Sequence, residues 1–559
     1  MLKNRKCIAA AIFATLLLNQ AISQEMPFEH SPEPELSPEN QLELENQQEL
    51  EEQRKQILPP ELQKNFIIVE PVRVHELNPQ LTNYASDSQI LNGLFEGLFT
   101  ISPITLEPQY ALATEFKISR DKKRWAITLR SDARFSNGEK ITAESVRKSW
   151  LRMLENPASP YSSLFDIVRG AQAFRNGKGA IEDVGLYATD ENVLSIYLNA
   201  PANYLPKILC HTAFSITHEN PEVYSGAYEL EISAPRKYVL KKNPYYWDKN
   251  NVIIERVSFL QSDNPDENTY YYNTGAVDWV CGRVNQNQIL DTKAFQVNAE
   301  FGTGFLYFKT SNKKPMGFKT SALWDYPEFR AAVLEAFPWA IIRKNYMIPA
   351  TTLVYPLSGY PQVEGFDFTD AIEASLKMKD ARKKYKIPAE QIIPLVFYVF
   401  DNEFDKAEQE AIQNALLPLG IDVQIKGVPS SEYYATIDSA DADILVTSWI
   451  GDFADPLAFL ELFRGGSTMN TSGWHNKEFD RLIEQAAVAN DSERYNLLAK
   501  AENILMDEAV VLPLYRIVTS NVIDVTEVGG WYVNAFDHHP LKFLYKKQSK
   551  LNSENIVKR

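Results

Sequence analysis

The strongest constraint on the fold lies between residues 393 and 425. Ile393–Phe400 is an unbroken apolar run of strand length, a helical segment follows and ends near Gly420, and Ile421–Ile425 is again strand-like. Strand, crossover helix and strand in so short a space form a β-α-β unit, which implies parallel strands in a covered sheet. Asp443–Thr447 adds a strand ending near Trp449. A helix over 491–508 opens at Asp491-Ser492 and buries Leu498, Ala501 and Leu505, and Val511–Val518 returns to extended structure. This half of the chain reads as α/β.

The preceding half alternates shorter elements. Phe66–Val69 is β-rich. Leu91, Leu94, Phe95 and Leu98 recur at helical spacing and predict a helix over 90–99. Trp125, Ile127 and Leu129 alternate with Ala126, Thr128 and Arg130, so that strand buries one face. Ser136-Asn137-Gly138 marks a tight turn. Thr142 caps a helix with Val146, Trp150, Met153 and Leu154 on one side, and Leu194, Ile196 and Leu198 alternate as another strand. No internal repeat and no long linker interrupts 65–545. A chain of 559 residues built this way is expected to hold two to four domains.

The amino terminus carries an export signature. Lys3, Arg5 and Lys6 precede an apolar run from Cys7 to Leu18, and Ala21-Ile22-Ser23 offers small residues for cleavage after Ser23. The run is shorter than the roughly 20 apolar residues a membrane span needs. No Cys follows it directly, so a lipid anchor is not expected, and no second span is visible. Residues 24–64 carry eleven Glu against three basic side chains and few aromatics. They read as an acidic disordered spacer, with a docking tail as the alternative. The net charge of −16 argues against general nucleic-acid binding, which rests on Lys and Arg.

Catalytic signatures are missing: no Gly-x-Ser-x-Gly, His-Glu-x-x-His, P-loop or EF-hand pattern occurs. Gly302-Thr303-Gly304 lacks the third Gly of a dinucleotide fingerprint and reads as a strand bend. Asp537-His538-His539 reads as a solvated turn, because no further ligand cluster accompanies it. Past the leader the chain keeps Cys210 and Cys281, as a disulfide or as two buried thiols. No enzymatic activity, metal or cofactor is expected. Aromatic and polar residues do gather near strand ends, at Tyr270-Tyr271-Tyr272, Asn243 to Trp247, Trp449 and Tyr515. Such residues suit mixed ligands or core packing.

A series of short segments, in order along nearly the whole chain, resembles the periplasmic oligopeptide-binding proteins of ABC importers, the peptide/nickel class of solute-binding proteins. They include Leu77-Asn78-Pro79, Gly93 to Leu98, Leu112 to Glu115, Phe135 to Glu139 with Thr142 to Val146, Ser159-Pro160-Tyr161, Ser225 to Tyr228, Leu240 to Trp247, Gly275 to Asp278, Trp449 to Pro456, Phe479 to Ile483 and Leu512 to Tyr515. No single piece is specific; their shared order carries the resemblance.

The resemblance implies an α/β, two-lobe periplasmic binding protein fold of class II, cluster C type, with an extra domain in lobe one. Mapped here, lobe I takes 65–100, 213–303 and 516–548, the extra domain 101–212 and lobe II 304–515. The signal is 1–23, the spacer 24–64 and a tail 549–559, with hinge crossings at Gly302–Gly304 and near Tyr515. It also implies an extended peptide held between closing lobes, its ammonium on Asp452 of the Trp449-x-x-Asp452 element. Asp455 is the second carboxylate in view, and a helix cap is the plain structural role for Asp452. Cys281, Gly282 and Arg283 would present main-chain groups, Thr303, Gly304 and Phe305 would sit at the next crossing, and Tyr161 and Tyr515 would line pockets. Expected partners are the peptide, an ABC permease and its ATPase subunits, for a monomer in the periplasm. No stable membrane insertion is expected.

One departure stands out. No Lys or Arg lies between Lys426 and Arg464, where some members carry an Arg for the ligand carboxylate, leaving Arg283 or Arg516 for that task. A non-peptide ligand such as haem, a nickel complex or an oligosaccharide is the nearest alternative. A secreted hydrolase, or a peptide-holding chaperone or adhesin docked by the acidic tail, lies further off.

Overall fold

A computed structural model describes residues 65–310, 323–429, 432–433 and 436–547. The leader, spacer and tail expected at 1–23, 24–64 and 549–559 lie outside the described residues. The chain enters through β1 (Asn65–Glu70) and α1 (Ala85–Leu94). A small antiparallel sheet follows: β2 (Ala113–Ile118), β3 (Arg124–Leu129), β4 (Leu186–Asp190) and β5 (Val193–Tyr197), ordered β2-β3-β5-β4 and covered by α2 (Ala143–Glu155). β6 (Tyr228–Ala234), β7 (Lys237–Lys242), β8 (Arg256–Gln261) and β9 (Trp279–Val280) then build around β1 to form lobe I.

β10 (Phe295–Phe308) carries the chain into lobe II, built from β11 (Ile393–Phe400), α3 (Lys406–Leu416), β12 (Ile421–Val428), β13 (Ile444–Ile450), α4 (Leu457–Leu460) and α5 (Asp491–Asp507). β14 (Val511–Ile523) returns it. Ten strands thus share one mixed sheet, in the order β12-β11-β13-β10-β14-β9-β1-β8-β7-β6.

Local chemistry accounts for the elements that position the site. Thr142 accepts from the Ser145 N–H, and the Ser145 side chain reaches back to the Thr142 backbone, so α2 starts where its capping residues stand. Its Val146, Met153 and Leu154 are buried, each contributing about 1.5–3 kcal/mol. The β-α-β unit forms as its pattern predicts: β11 pairs in parallel with β12, from Ile393↔Ile421 to Phe400↔Val428. Asp405 and Glu408 box the start of α3. Gly420, at φ +71°, supplies the left-handed step into β12.

Three expectations need correction or resolution. The helix predicted over 90–99 spans Ala85–Leu94, and Phe99–Ile101 is a strand. Beyond Leu94 the backbone takes long-range partners instead: Ile216 N–H donates to Glu96 O at 2.9 Å and Ala111 N–H to Leu98 O at 3.1 Å. The apolar pattern survives, since Leu91, Leu94, Phe95 and Leu98 are all buried, but tertiary pairing overrides the helical period. Asp537–His539 follows a turn at Ala535–Phe536, with Asp537 at φ +46°, and it is not solvated. His539 is fully buried, stacked on Trp531 at 4.2 Å and paired to Asp537 Oδ1 at 2.9 Å. Among the described residues no cluster of three or more metal-ligating side chains occurs. Cys210 and Cys281 are both free thiols.

β10 and β14 cross between the lobes side by side. Phe295–Ala299 pairs with Val518–Val522 in lobe I, and Thr303–Tyr307 with Val511–Arg516 in lobe II. The register shifts between Ala299 and Thr303 and again between Gly304 and Phe305, where the sequence reads as a bend. An added Cβ on Gly304 would lie 2.2 Å from the Tyr515 ring, so only glycine lets that ring lie across β10. Lobe I packs around Phe66, Ile68 and Trp279, and lobe II around Phe308, Trp324 and Trp339. The core of the small sheet, with Trp125 and Trp150, continues into lobe II through Phe301, Phe453 and Phe459. Among the described residues no helix is long and apolar enough to cross a membrane.

Candidate ligand-binding site

The site forms where the small-sheet domain meets the end of β13. β13 pairs with β10 along its whole length, from Phe308↔Ile444 to Gly302↔Ile450. On its other side it pairs with β11 only at Ile444 and Leu445. Among the described residues no strand pairs with that edge from Thr447 to Ile450. The chain then turns at Gly451, whose N–H donates to Phe301 O at 2.7 Å and where a Cβ would meet the Phe301 ring at 2.4 Å. Trp449 Nε1 donates to Ala458 O at 2.9 Å, tying the strand end to α4.

Asp452 follows, its side chain 9% exposed. The Tyr161 hydroxyl donates to Asp452 Oδ1 at 2.9 Å, and His211 Nε2 lies 3.3 Å from the same oxygen. The rings of Tyr161 and His211 pack at 4.2 Å, and Tyr161 lies 6.5 Å from Trp449. Burial, with the Asp452 charge beside it, pushes the Tyr161 hydroxyl well above its usual value, which keeps it a donor. No Lys or Arg among the described residues forms an ion pair with Asp452.

Asp455 differs. Arg494 holds it at 3.0 and 2.7 Å through two nitrogens, and its Oδ1 also accepts the Leu457 N–H at 2.9 Å. The carboxylate that bonds the start of the following helical turn is therefore Asp455, not Asp452, and its charge is already matched.

Trp449, Asp452 and Tyr161 are thus brought together; of the other expected residues, Thr303 adjoins them as the strand partner of Trp449. Thr303 pairs with Trp449 on one side and Arg516 on the other, so these three share a face of the sheet. Gly304 pairs with Ser448 and Tyr515 on the opposite face, and Tyr515 stacks on Tyr346 at 4.3 Å. Phe305 is buried in the core. Cys281 sits just past β9, where its N–H donates to Val69 O at 2.9 Å; Gly282 and the exposed Arg283 follow it. Arg516 donates to Thr303, to Leu353 O at 3.1 Å and to Thr352 Oγ1 at 2.9 Å. Burial lowers its pKa to about 10. It is occupied inside lobe II. His211 is the site residue that sequence reasoning missed: no spacing links it to Asp452, which lies far along the chain.

A second polar contact joins the same two parts. Arg175 clamps Asp166 at 2.7 Å through two nitrogens and reaches Gly466 O at 2.8 Å. Arg464 clamps Glu461 the same way, stands 3.5 Å from Asp166, and Ser163 Oγ donates to Glu461 at 3.2 Å.

Two lobes joined by paired crossing strands, with an accessory domain closing on one of them, are the architecture of a two-lobe solute-binding protein. The chain belongs to the bacterial extracellular solute-binding proteins, family 5, whose middle-region model matches residues 107–471. It is 28% identical over 454 residues to the dipeptide-binding protein DppE of Bacillus subtilis, covering 76% of this chain and 82% of that one. The oligopeptide-binding protein OppA of the same organism is 28% identical over 483 residues, covering 80% and 86%. The murein tripeptide binding protein MppA of Escherichia coli superposes with a TM-score of 0.74 at 21% identity, over 87% of this chain and 99% of that one, a likeness that establishes the fold.

Proposed function

We propose that the protein is the solute-binding component of an ABC importer, taking extended oligopeptides between its lobes and delivering them to a permease driven by ATPase subunits. It works as a monomer in the periplasm, exported by residues 1–23, without a cofactor and without turning the peptide over. Asp452 is the observation that carries this reading. A nearly buried carboxylate bonded by the Tyr161 hydroxyl, with no Lys or Arg paired to it among the described residues, is costly unless a cation completes it. It stands where the edge of β13 runs unpaired, so a peptide backbone adding to that edge would bring its terminal ammonium to Asp452. Main-chain pairing is indifferent to side chains, which suits a receptor for many peptides. The names of DppE and OppA support the same ligand class.

Native mass spectrometry of protein purified without denaturation is expected to show a ladder of short-peptide masses. A single discrete mass, or none from any peptide pool, would overturn the peptide reading. Asp452→Ala is expected to cost about 2–5 kcal/mol in affinity for free-amine peptides by calorimetric titration.

A further inference from the structure

The helix Ala371–Tyr385 packs on lobe II by one side. Asp370 caps its start, accepting from the Ile372 and Glu373 N–H groups, and Ala374, Met378, Ala381 and Arg382 are its buried residues. Two of its lysines are tied down: Lys377 reaches Glu335 at 2.5 Å, and Lys384 pairs with Glu328. The opposite side is left bare. Ile372 is 78% exposed and Leu376 53%, and Phe368, just before the cap, is 72% exposed. Lys379 and Lys383 are exposed as well, and neither forms an ion pair among the described residues. At about 100° per residue, Ile372, Leu376, Lys379 and Lys383 fall within about 60° of one another on the helix surface. They make one ridge, apolar at its amino end and basic at its carboxyl end, pointing away from the buried side. Lys386, in the left-handed conformation that ends the helix, prolongs the basic end. The exposed Asp380 stands at the rim of the ridge, and Glu373 faces Lys377 at 3.8 Å. Single exposed apolar side chains are ordinary; three in line with a row of unpaired lysines are not.

We propose that this ridge is a peripheral docking surface for an anionic phospholipid bilayer, with Phe368, Ile372 and Leu376 entering the headgroup boundary and Lys379, Lys383 and Lys386 meeting phosphates. The charge pattern selects that occupant. The chain carries a net charge of −16, so an anionic surface repels it as a whole. Salt screens such forces beyond about 8 Å, and a local row of cations then decides which face approaches. A purely apolar partner would leave the lysines unmatched, and a purely anionic one would leave the apolar row in water. The edge of a bilayer supplies both layers side by side. The contact is peripheral, because the apolar row is far shorter than a membrane span. It goes beyond peptide capture and does not rest on it. For the receptor of an importer it would hold lobe II beside the membrane in which a permease sits.

Co-flotation with vesicles tests the contact. The probe is phosphatidylethanolamine vesicles with about one quarter phosphatidylglycerol, set against vesicles of phosphatidylcholine alone. The protein is expected to float with the first at low salt, to be released at high salt and to leave the second unbound. Lys379→Gln and Lys383→Gln should each weaken binding about fivefold, and Leu376→Ser by a similar factor. Lys406→Gln, at the exposed lysine that opens α3, should change nothing. All four side chains lie on the surface, so melting temperature and peptide affinity should stay at wild-type values, which separates lost docking from lost folding. No flotation with the anionic vesicles, equal flotation with the neutral ones, or an equal loss at Lys406 would overturn the proposal. So would self-association, seen by sedimentation velocity, that Leu376→Ser abolishes without moving flotation: the ridge would then be a face between copies of the chain.

Discussion

Glu300 stands in the register break of β10, 1% exposed, and its Oε2 has no hydrogen-bond partner among the described residues. Burial pushes its carboxyl up to about 8, and the Asp537 charge adds to the shift. A carboxyl raised on folding favours the folded state fully below its unfolded value near 4.5, and that contribution fades as pH rises through about 8. Glu300→Gln is therefore expected to raise Tm above pH 8 and to leave it unchanged near pH 4.5. A melting series across pH checks this, and a flat difference would contradict it. Nothing in the sequence marks Glu300 among its many acidic residues, because its surroundings come from segments far along the chain, Asp537 among them. Asp452 was legible because it stands in a recognisable Trp-x-x-Asp element, whereas His211 was not.

At the level of elements, the short turn Ser162–Ile167 and the loop at 464–468 meet through Asp166, Arg175, Glu461 and Arg464. These side chains are mostly buried, and removing one member leaves its partner's charge unmatched. Arg464→Met is expected to weaken all peptides alike, free or acetylated, by about tenfold to a hundredfold, and to speed hydrogen exchange over 160–168. Unchanged affinity and exchange would show that the contact does not hold the closed form. That uniform loss differs from the amine-selective loss expected at Asp452. Helices α2 and α3 were readable because their caps and apolar faces are local. The end of α1 was misread because the carbonyls of Glu96 and Leu98 bond to Ile216 and Ala111 instead of continuing a helix.

For the whole molecule, the ten-stranded sheet passes without interruption from lobe to lobe through β10 and β14. Lobes sharing one hydrogen-bonded ladder are expected to unfold together. Scanning calorimetry should show one transition, and peptide at about a hundred times Kd should add roughly 2.7 kcal/mol to it. Two transitions, of which peptide moves only one, would mean that the lobes are energetically separate.

Local chemistry determined much of this protein. The strand-helix-strand at 393–425, the box at Thr142, the turn at Gly138 and the bend at Gly302–Gly304 follow from hydrophobic period, capping and glycine freedom within a few residues. Tertiary structure alone decided which carboxylate is matched and which is open. Asp455 and Asp452 stand three residues apart, yet Arg494 holds the first and the Tyr161 hydroxyl the second, with His211 beside it. The physical reason is range: capping and periodicity act over one or two turns, whereas the partner of a buried charge is whatever side chain the fold brings within about 3 Å.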